Sequence, residues 1–325
     1  MAGKEAMSRR DFVGGAVLLA GAATAQTTPE AAAPRSRVVT VRHGGATVKE
    51  EVQAEPVAQM ADRAVMALSG EATPEKAWAR YFSADERVGI KINGRGGVGV
   101  AVCNPLIKVC VERLQGIGVK PANIIIWDSL PGDLRNSGLS LDGAWGAQVV
   151  PAEVGWDEEI QQGSFKGRLT TIVTQRVDAI LNLPFLKDHI LTGVTLALKN
   201  HYGSISNPEA HHDNGCDPFI ADLNTVPALR GKQRLILCDG TRSQPEGGPQ
   251  FRPGYRLFTN LLMAATDPVA HDWVGWRFIE ARRKDMGLPP LARVGRPTTF
   301  IRTAAQRGLG TDQPDRIEQV DITLA

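Results

Sequence analysis

The stretch from Arg87 to Asn93 reads Arg-Val-Gly-Ile-Lys-Ile-Asn, a short apolar run that ends in polar residues. Three further runs have the same character: Ile124–Trp127, Ala179–Leu183 and Leu235–Cys238. Short continuous apolar runs, separated by helical patterns, are typical of strands in a parallel sheet that helices cover on both faces. The sequence therefore predicts an α/β fold with a mostly parallel sheet and a ligand crevice at the carboxyl ends of the strands.

The rest of the pattern completes the predicted order of elements. We expect helices over Pro56–Leu68, Pro74–Tyr81, Pro105–Leu114 and from Pro268 to about Lys284, and strands over Val38–Val41, Leu261–Ala265 and Ile317–Leu324. Asp267 is the expected N-cap of the helix that Pro268 opens. We expect a signal peptide over residues 1–25, a linker over 26–36 and a single α/β domain over 37–325.

Polar residues follow the predicted strands, where a parallel sheet binds its ligands. They are Lys91, Asn93, Asp128, Ser129, Lys187, His189, Asp239, Arg242 and Asp267. A second dense polar stretch holds Lys199, Asn200 and His201. We therefore expect one shared site at this edge of the sheet.

Each predicted site residue has a chemical role that its side chain suits. The catalytic set is Lys91, Asp128, Lys187, His189, Lys199 and Asp239, and the cofactor-binding pair is Asn93 and Asn200. The lysines would hold an anion, and His189 would serve as a ligand or a general base. Asp128 or Asp239 would orient these groups.

A histidine- and cysteine-containing loop suggests a transition-metal site. His189, His212 and Cys216 could supply three ligands and leave an open coordination position. We expect Asp217 to cap a helix that Pro218 opens, so that the helix dipole lowers the pKa of the Cys216 thiol. The alternative is that His211 and His212 are exposed loop residues and that His189 is a hydrogen-bonded strand-end residue. The other three cysteines are expected in the core.

Residues 94–99 read Gly-Arg-Gly-Gly-Val-Gly, a formal dinucleotide-binding spacing after a strand. That motif requires its last glycine to open a helix and an acidic residue about 20 positions further on. Here the predicted helix starts only near Pro105. We therefore favour a flexible loop over the site and keep a dinucleotide-dependent oxidoreductase as an alternative.

The N-terminus carries the features of a twin-arginine export signal. Arg9 and Arg10 precede a short Gly- and Ala-rich apolar run, and Ala23-Thr24-Ala25 is a small-x-small cleavage site. That run is shorter than the roughly 20 residues that a bilayer span requires, so no stable membrane anchor is expected. We expect the twin-arginine translocase as a partner during export and a periplasmic or extracellular location.

The formal net charge of +2 indicates neither a nucleic-acid partner nor an anionic membrane surface. The four cysteines lack Cys-x-x-Cys spacing, which argues against a local iron–sulfur or structural zinc motif. A small anionic ligand is the remaining expected partner.

Several separated motifs of the chain, in order, resemble exported members of a known family, domain of unknown function 362. They are Val88–Asn93, Leu186–His189 with Thr192-Gly193, Ala197–Asn200, His212–Asn214, Cys216–Pro218 with Ile220–Leu223, and Thr266–Ala270. Some members add a ferredoxin-like segment with clustered cysteines, and this chain has none. The resemblance implies an α/β fold and leaves the chemistry open.

The sequence leaves three functions open. The first is an exported enzyme that acts on a small anionic substrate, with help from a metal or metal cofactor. The second is a non-catalytic periplasmic carrier or binder of a metal or small ligand, and the third is the dinucleotide-dependent oxidoreductase. Turnover separates the first from the second, and nicotinamide or flavin absorbance of the purified protein identifies the third.

Overall fold

Strands and helices alternate along residues 35–325, the part of the chain that this computed structural model describes. The strands are β1 Ser36–His43, β2 Thr47–Val48, β3 Glu51–Val52, β4 Val88–Ile92, β5 Ile124–Asp128, β6 Gln148–Pro151, β7 Trp156–Gln162, β8 Phe165–Thr170, β9 Ala179–Leu183, β10 Phe185–His189, β11 Gly193–Thr195, β12 Gln233–Gln244, β13 Leu257–Ala265 and β14 Ile317–Leu324. The α-helices are α1 Ala54–Ser69, α2 Pro74–Ala79, α3 Asn104–Gly116, α4 Pro131–Asn136, α5 Ala197–Asn200, α6 Phe219–Asn224, α7 Pro227–Arg230, α8 Pro268–Asp285 and α9 Thr299–Gln306. The predicted signal peptide and most of the predicted linker lie outside the described residues.

Ten strands form one mixed sheet in the order β14-β1-β13-β12-β9-β4-β5-β6, with β10 beside β12 and β11 beside β10. The central run from β12 to β6 is parallel throughout. Strand β10 is parallel to β12, and β13 is antiparallel to both β1 and β12. The predicted fold class, a mostly parallel sheet with helices, is confirmed.

Alternate side chains of the central strands pack into two different apolar clusters. Ile124 and Ile126 of β5 join a cluster that includes residues of helices α1, α2 and α3. Ile125 and Trp127 of the same strand point the other way, into a cluster that includes residues of α6, α8 and α9. A strand with both faces buried reads as a continuous apolar run, which is the pattern that predicted β4, β5 and β9.

The position of Asp267 differs from the sequence prediction. The expected strand Leu261–Ala265 is the second half of β13, and this strand runs antiparallel to its neighbours. Its carboxyl end therefore lies at the edge of the sheet opposite the ends of β4 and β5. Asp267 instead caps α8, as predicted, by accepting the backbone N–H groups of Val269 and Ala270.

None of the helices in residues 35–325 is both long and apolar enough to span a membrane.

Candidate functional site

A cavity of about 430 Å³ opens at the carboxyl ends of the parallel strands. Its lining includes Asn93, Arg95, Asp128, Asp133, Glu153, Lys187, His189, Thr195, Lys199, Asn200, Tyr202, Glu209, His212 and Pro249. Six of the eight residues predicted as catalytic or cofactor-binding therefore line it. The other two, Lys91 and Asp239, do not.

Lys91 lies directly beneath the cavity in a buried ion pair. Its Nζ is 2.7 Å from Oδ1 of Asp128, and neither side chain is more than 4% exposed. The other carboxylate oxygen of Asp128 accepts the backbone N–H of Gly94 at 2.6 Å. Lys91 therefore balances the negative charge of Asp128 within the protein. Lys91 does not line the cavity itself and can affect a ligand there only through the residues that it contacts.

Lys187, on β10, is buried and has no carboxylate within 4 Å in the described part of the chain. Its Nζ donates to two backbone carbonyl oxygens of the glycine-rich segment, those of Arg95 and Val100. Burial lowers the pKa of Lys187 to about 7 because the ammonium is removed from water.

Lys199, on α5, is the second buried lysine of the cavity. Its Nζ lies 3.7 Å from Sγ of Cys216 and 3.8 Å from the ring centroid of Tyr202. Burial lowers the pKa of Lys199 to about 8. The Cys216 thiol stays protonated at neutral pH because burial raises its own pKa, so it does not neutralise the ammonium.

His189 faces the cavity with a defined tautomer. Its Nδ1 accepts the backbone N–H of Leu191 at 3.1 Å, so the proton of the neutral ring sits on Nε2. Burial, together with the nearby Lys199, lowers the pKa of His189 well below its usual range. The residue is therefore a neutral hydrogen-bond donor to the cavity.

The surroundings of the predicted metal ligands differ from those of a metal site. In the described residues, no three His, Cys, Asp or Glu side chains gather as a metal site requires. A metal-bound histidine normally donates its second ring N–H to an acceptor, whereas the second nitrogen of His189 accepts a backbone N–H. His212 stacks on Tyr202, with ring centroids 5.7 Å apart.

Cys216 also differs from the prediction in its local structure. Helix α6 begins at Phe219, and no side chain caps it, so Asp217 is not its N-cap. The Cys216 thiol is buried, and burial raises its pKa where the helix-dipole argument predicted a lower value. Desolvation outweighs the dipole of so short a helix and the nearby ammonium of Lys199.

Asp239 does not line the cavity, and its carboxylate is hydrogen-bonded to two backbone N–H groups and one hydroxyl. Oδ2 accepts the N–H of Cys103 at 2.7 Å, and Oδ1 accepts both the N–H and the hydroxyl of Thr241. The residue is fully buried in β12. Its place at the end of an apolar run reflects a structural role in joining β12 to the start of α3.

Behind the cavity, buried amides form a hydrogen-bonded row. Nδ2 of Asn93 donates to Oδ1 of Asn200 at 3.1 Å, and Nδ2 of Asn200 donates to Oδ1 of Asn182 at 2.7 Å. Nδ2 of Asn182 donates to Oε1 of Gln233 at 2.8 Å. The sequence interpretation missed Asn182 and Gln233, although an asparagine inside the apolar run Ala179–Leu183 was a usable signal.

The sequence interpretation also missed several charged residues of the lining. Asp133 is buried, and burial together with the nearby Asp128 raises its pKa. Arg95, Glu153 and Glu209 are exposed at the rim. Among the buried charged residues of the cavity lining, the two lysines are thus the ones that have no charged partner within 4 Å in residues 35–325.

The glycine-rich segment is held in place and packs tightly, which differs from the flexible loop expected. A Cβ on Gly94 would lie 1.8 Å from the carbonyl oxygen of Asp133, and one on Gly96 would lie 1.9 Å from that of Pro249. Gly96 also accepts the N–H of Phe251 at 2.8 Å. Its glycines therefore permit close backbone approach, and two of its carbonyls hold Lys187.

Comparison with known proteins gives one family match. Residues 137–277 match the family described as domain of unknown function (DUF362). No curated protein matches the chain. One matching solved structure is a crystal structure of a Thermotoga maritima protein from a structural genomics consortium, 12% identical, with a TM-score of 0.42. The alignment covers 73% of this chain and 60% of that one, so this chain spans less than two thirds of its length.

The matched range contains Lys187, His189 and Lys199 of the cavity and the buried Cys216. Asn93 and Asp128 precede it and join the site through the parallel pairing of β4 with β9 and β5. Residues 137–277 thus match the family that the motifs of the sequence resemble.

Proposed function

We propose that this protein is an enzyme, exported by the twin-arginine pathway, that acts on a small anionic substrate bound between Lys187 and Lys199. One observation carries the proposal. Two buried lysines line the same cavity, and neither has a carboxylate within 4 Å among residues 35–325. A buried ammonium without a counter-ion costs free energy, and a bound anion removes that cost.

The surrounding charges favour an anion over a cation. Asp128, a buried carboxylate of the lining, is already paired with Lys91, and the buried Asp188 next to Lys187 is paired with Arg296. Asp133, the other buried carboxylate of the lining, lies 3.8 Å from the guanidinium of Arg95. Glu153 and Glu209 lie at the exposed rim, where water screens them.

The perturbed lysines also suit catalysis. With a pKa of about 7, Lys187 has a substantial neutral fraction near neutral pH, so it can accept a proton from a bound substrate. The neutral His189 donates a hydrogen bond from Nε2, which would stabilise negative charge that develops on the substrate. Strongly shifted pKa values within one cavity are typical of active sites.

Binding of small anions tests the proposal. Calorimetric titration with acetate, sulfate and phosphate should show at least one anion that binds the wild-type protein. Lys187→Met and Lys199→Met should each weaken that binding by at least roughly 10-fold, the effect expected when a buried charge partner is removed. Lys120→Met is the control, because Lys120 is exposed and does not line the cavity.

Turnover separates an enzyme from a carrier. We expect NMR spectra of small organic anions, incubated with a catalytic amount of protein, to show conversion that the Lys187→Met variant abolishes. Tight binding of small organic anions, without conversion of any compound in a broad panel of them, would favour the periplasmic carrier instead. No anion binding at all would contradict the proposal.

A further inference from the structure

Asn93 presents a buried oxygen that the protein leaves without a hydrogen bond. The residue follows β4, lines the cavity and is 6% exposed. In the described part of the chain, its Oδ1 has no hydrogen-bond partner. Buried side-chain oxygens are nearly always paired, so an unpaired one in a cavity points to a group that a ligand supplies.

The orientation of the Asn93 amide is fixed by chemistry. Nζ of Lys91 lies 3.2 Å from one terminal atom of Asn200. An ammonium can only donate, so that atom of Asn200 is the oxygen. The terminal atom of Asn93 that lies 3.1 Å from the same oxygen must then be the nitrogen. The unpaired atom is therefore an acceptor.

The other end of the amide row agrees with this assignment. Nδ2 of Asn200 donates to Oδ1 of Asn182 at 2.7 Å. Nδ2 of Asn182 in turn donates to the backbone oxygen of Ala197 at 3.0 Å, and a backbone carbonyl can only accept. Both ends of the row thus impose the same direction. Asn93 cannot rotate its amide without breaking the row.

Thr195 is a second cavity residue with an unpaired group. It is 5% exposed, and its Oγ1 has no hydrogen-bond partner within residues 35–325. A hydroxyl can donate or accept, so it can complement a ligand hydroxyl, which also does both. An ammonium on the ligand would instead add positive charge near the buried Lys187 and Lys199.

We propose that the ligand is a small hydroxy acid, whose hydroxyl donates to Oδ1 of Asn93, and that Asn93 determines this specificity. The anionic half of this ligand rests on the proposed function. The hydroxyl group of the ligand is inferred from the unpaired Oδ1 of Asn93, whose amide has a fixed orientation. A site with a buried acceptor discriminates against an analogue that lacks the donor, because binding that analogue leaves the acceptor unpaired.

Paired ligands that differ in one hydroxyl test the inference. Calorimetric titration should show that glycolate binds the wild-type protein about 5–100-fold more tightly than acetate, the range expected for one buried hydrogen bond. In Asn93→Leu the ratio of the two affinities should fall close to one. Asn93→Ser keeps an acceptor oxygen and should retain part of the preference, which also covers the case in which the leucine variant fails to fold.

The outcomes separate this inference from the proposed function. Equal binding of glycolate and acetate to the wild-type protein would overturn the inference and leave the anion site intact. Tighter binding of glycine than of glycolate would also overturn it, since the donor would then be an ammonium. If neither glycolate nor acetate binds, both the inference and the anion site are contradicted for carboxylates.

Discussion

Lys187 and Lys199 show how one environment changes the chemistry of an ordinary residue. Both side chains are buried, and burial lowers both pKa values, to about 7 and about 8. The ordinary value for each is 10.5, so each lysine is less readily protonated in the folded protein than in the unfolded chain. This difference links the stability of the protein to pH.

Stability should rise with pH above about 7. Between the folded pKa of Lys187 and its unfolded value, the unfolded chain binds more protons, so raising the pH favours the folded state. Each lysine contributes a slope of up to about 1.4 kcal/mol per pH unit. Urea unfolding from pH 6 to 9 should show this rise, and Lys187→Met should flatten it. An identical slope in the variant would show that Lys187 has an ordinary pKa.

Cys216 should resist alkylation in the folded protein. Its thiol is buried, and burial raises its pKa, so little thiolate is present near neutral pH. Iodoacetamide at pH 8 should label Cys216 at least roughly 100-fold more slowly in the native protein than in urea, as expected for a buried thiol. Mass spectrometry of the digested protein measures the difference. Rapid native labelling would favour the activated thiol that the sequence suggested.

Residue types at strand ends predicted most of the cavity, but the sequence could not assign their hydrogen bonds. Lys187, His189 and Asp128 were found because they follow buried strands. The metal hypothesis depended on a ring nitrogen of His189, and the sequence does not reveal that Nδ1 accepts a backbone N–H. It also could not show that backbone groups occupy the carboxylate of Asp239.

At the level of elements, the apolar runs predicted where the strands lie in the sequence, but they did not predict which strands are antiparallel to their neighbours. Strands β4 and β9 coincide with predicted runs, and β14 has the bounds expected of an edge strand. The direction of β13 could not be predicted because a buried strand reads the same in a parallel and an antiparallel pair. The short hairpin of β10 and β11 was also missed, since its apolar content is low.

Gly203 permits the segment after α5 to close over the buried ion pair. A Cβ at this position would lie 2.5 Å from Oδ1 of Asp128 and 2.8 Å from Nζ of Lys91. Gly203→Ala should therefore destabilise the protein by about 1–3 kcal/mol, the usual cost of overpacking. Gly132→Ala is the matched control, because a Cβ there meets nothing within 4 Å. Urea midpoints measure both variants, and equal midpoints would contradict the close packing.

At the scale of the whole molecule, the fold gathers a site from distant parts of the chain. Asn93 follows β4, Lys187 lies on β10, and Lys199 lies on α5. The parallel sheet brings the first two to one edge, and β11 returns the chain so that α5 reaches the same edge. The crevice rule for parallel sheets predicted this gathering from sequence alone.

The proposed export by the twin-arginine pathway depends on residues 1–25, which lie outside the described residues. The double variant Arg9→Lys/Arg10→Lys should leave the precursor in the cytoplasm, because paired arginines are the feature that the translocase reads. Cell fractionation with an antibody against the protein measures this. A normal periplasmic yield of the double variant would contradict twin-arginine export.

Proton uptake on anion binding tests the central claim most directly. At pH 8, a bound anion should raise the pKa values of Lys187 and Lys199 from about 7 and about 8, so binding should draw protons from the buffer. Calorimetric titration with glycolate in two buffers of different ionisation enthalpy should show uptake of roughly one proton per bound anion, lost in Lys187→Met/Lys199→Met. Binding without proton uptake, or equal uptake in the double variant, would contradict the claim that these two lysines hold the anion.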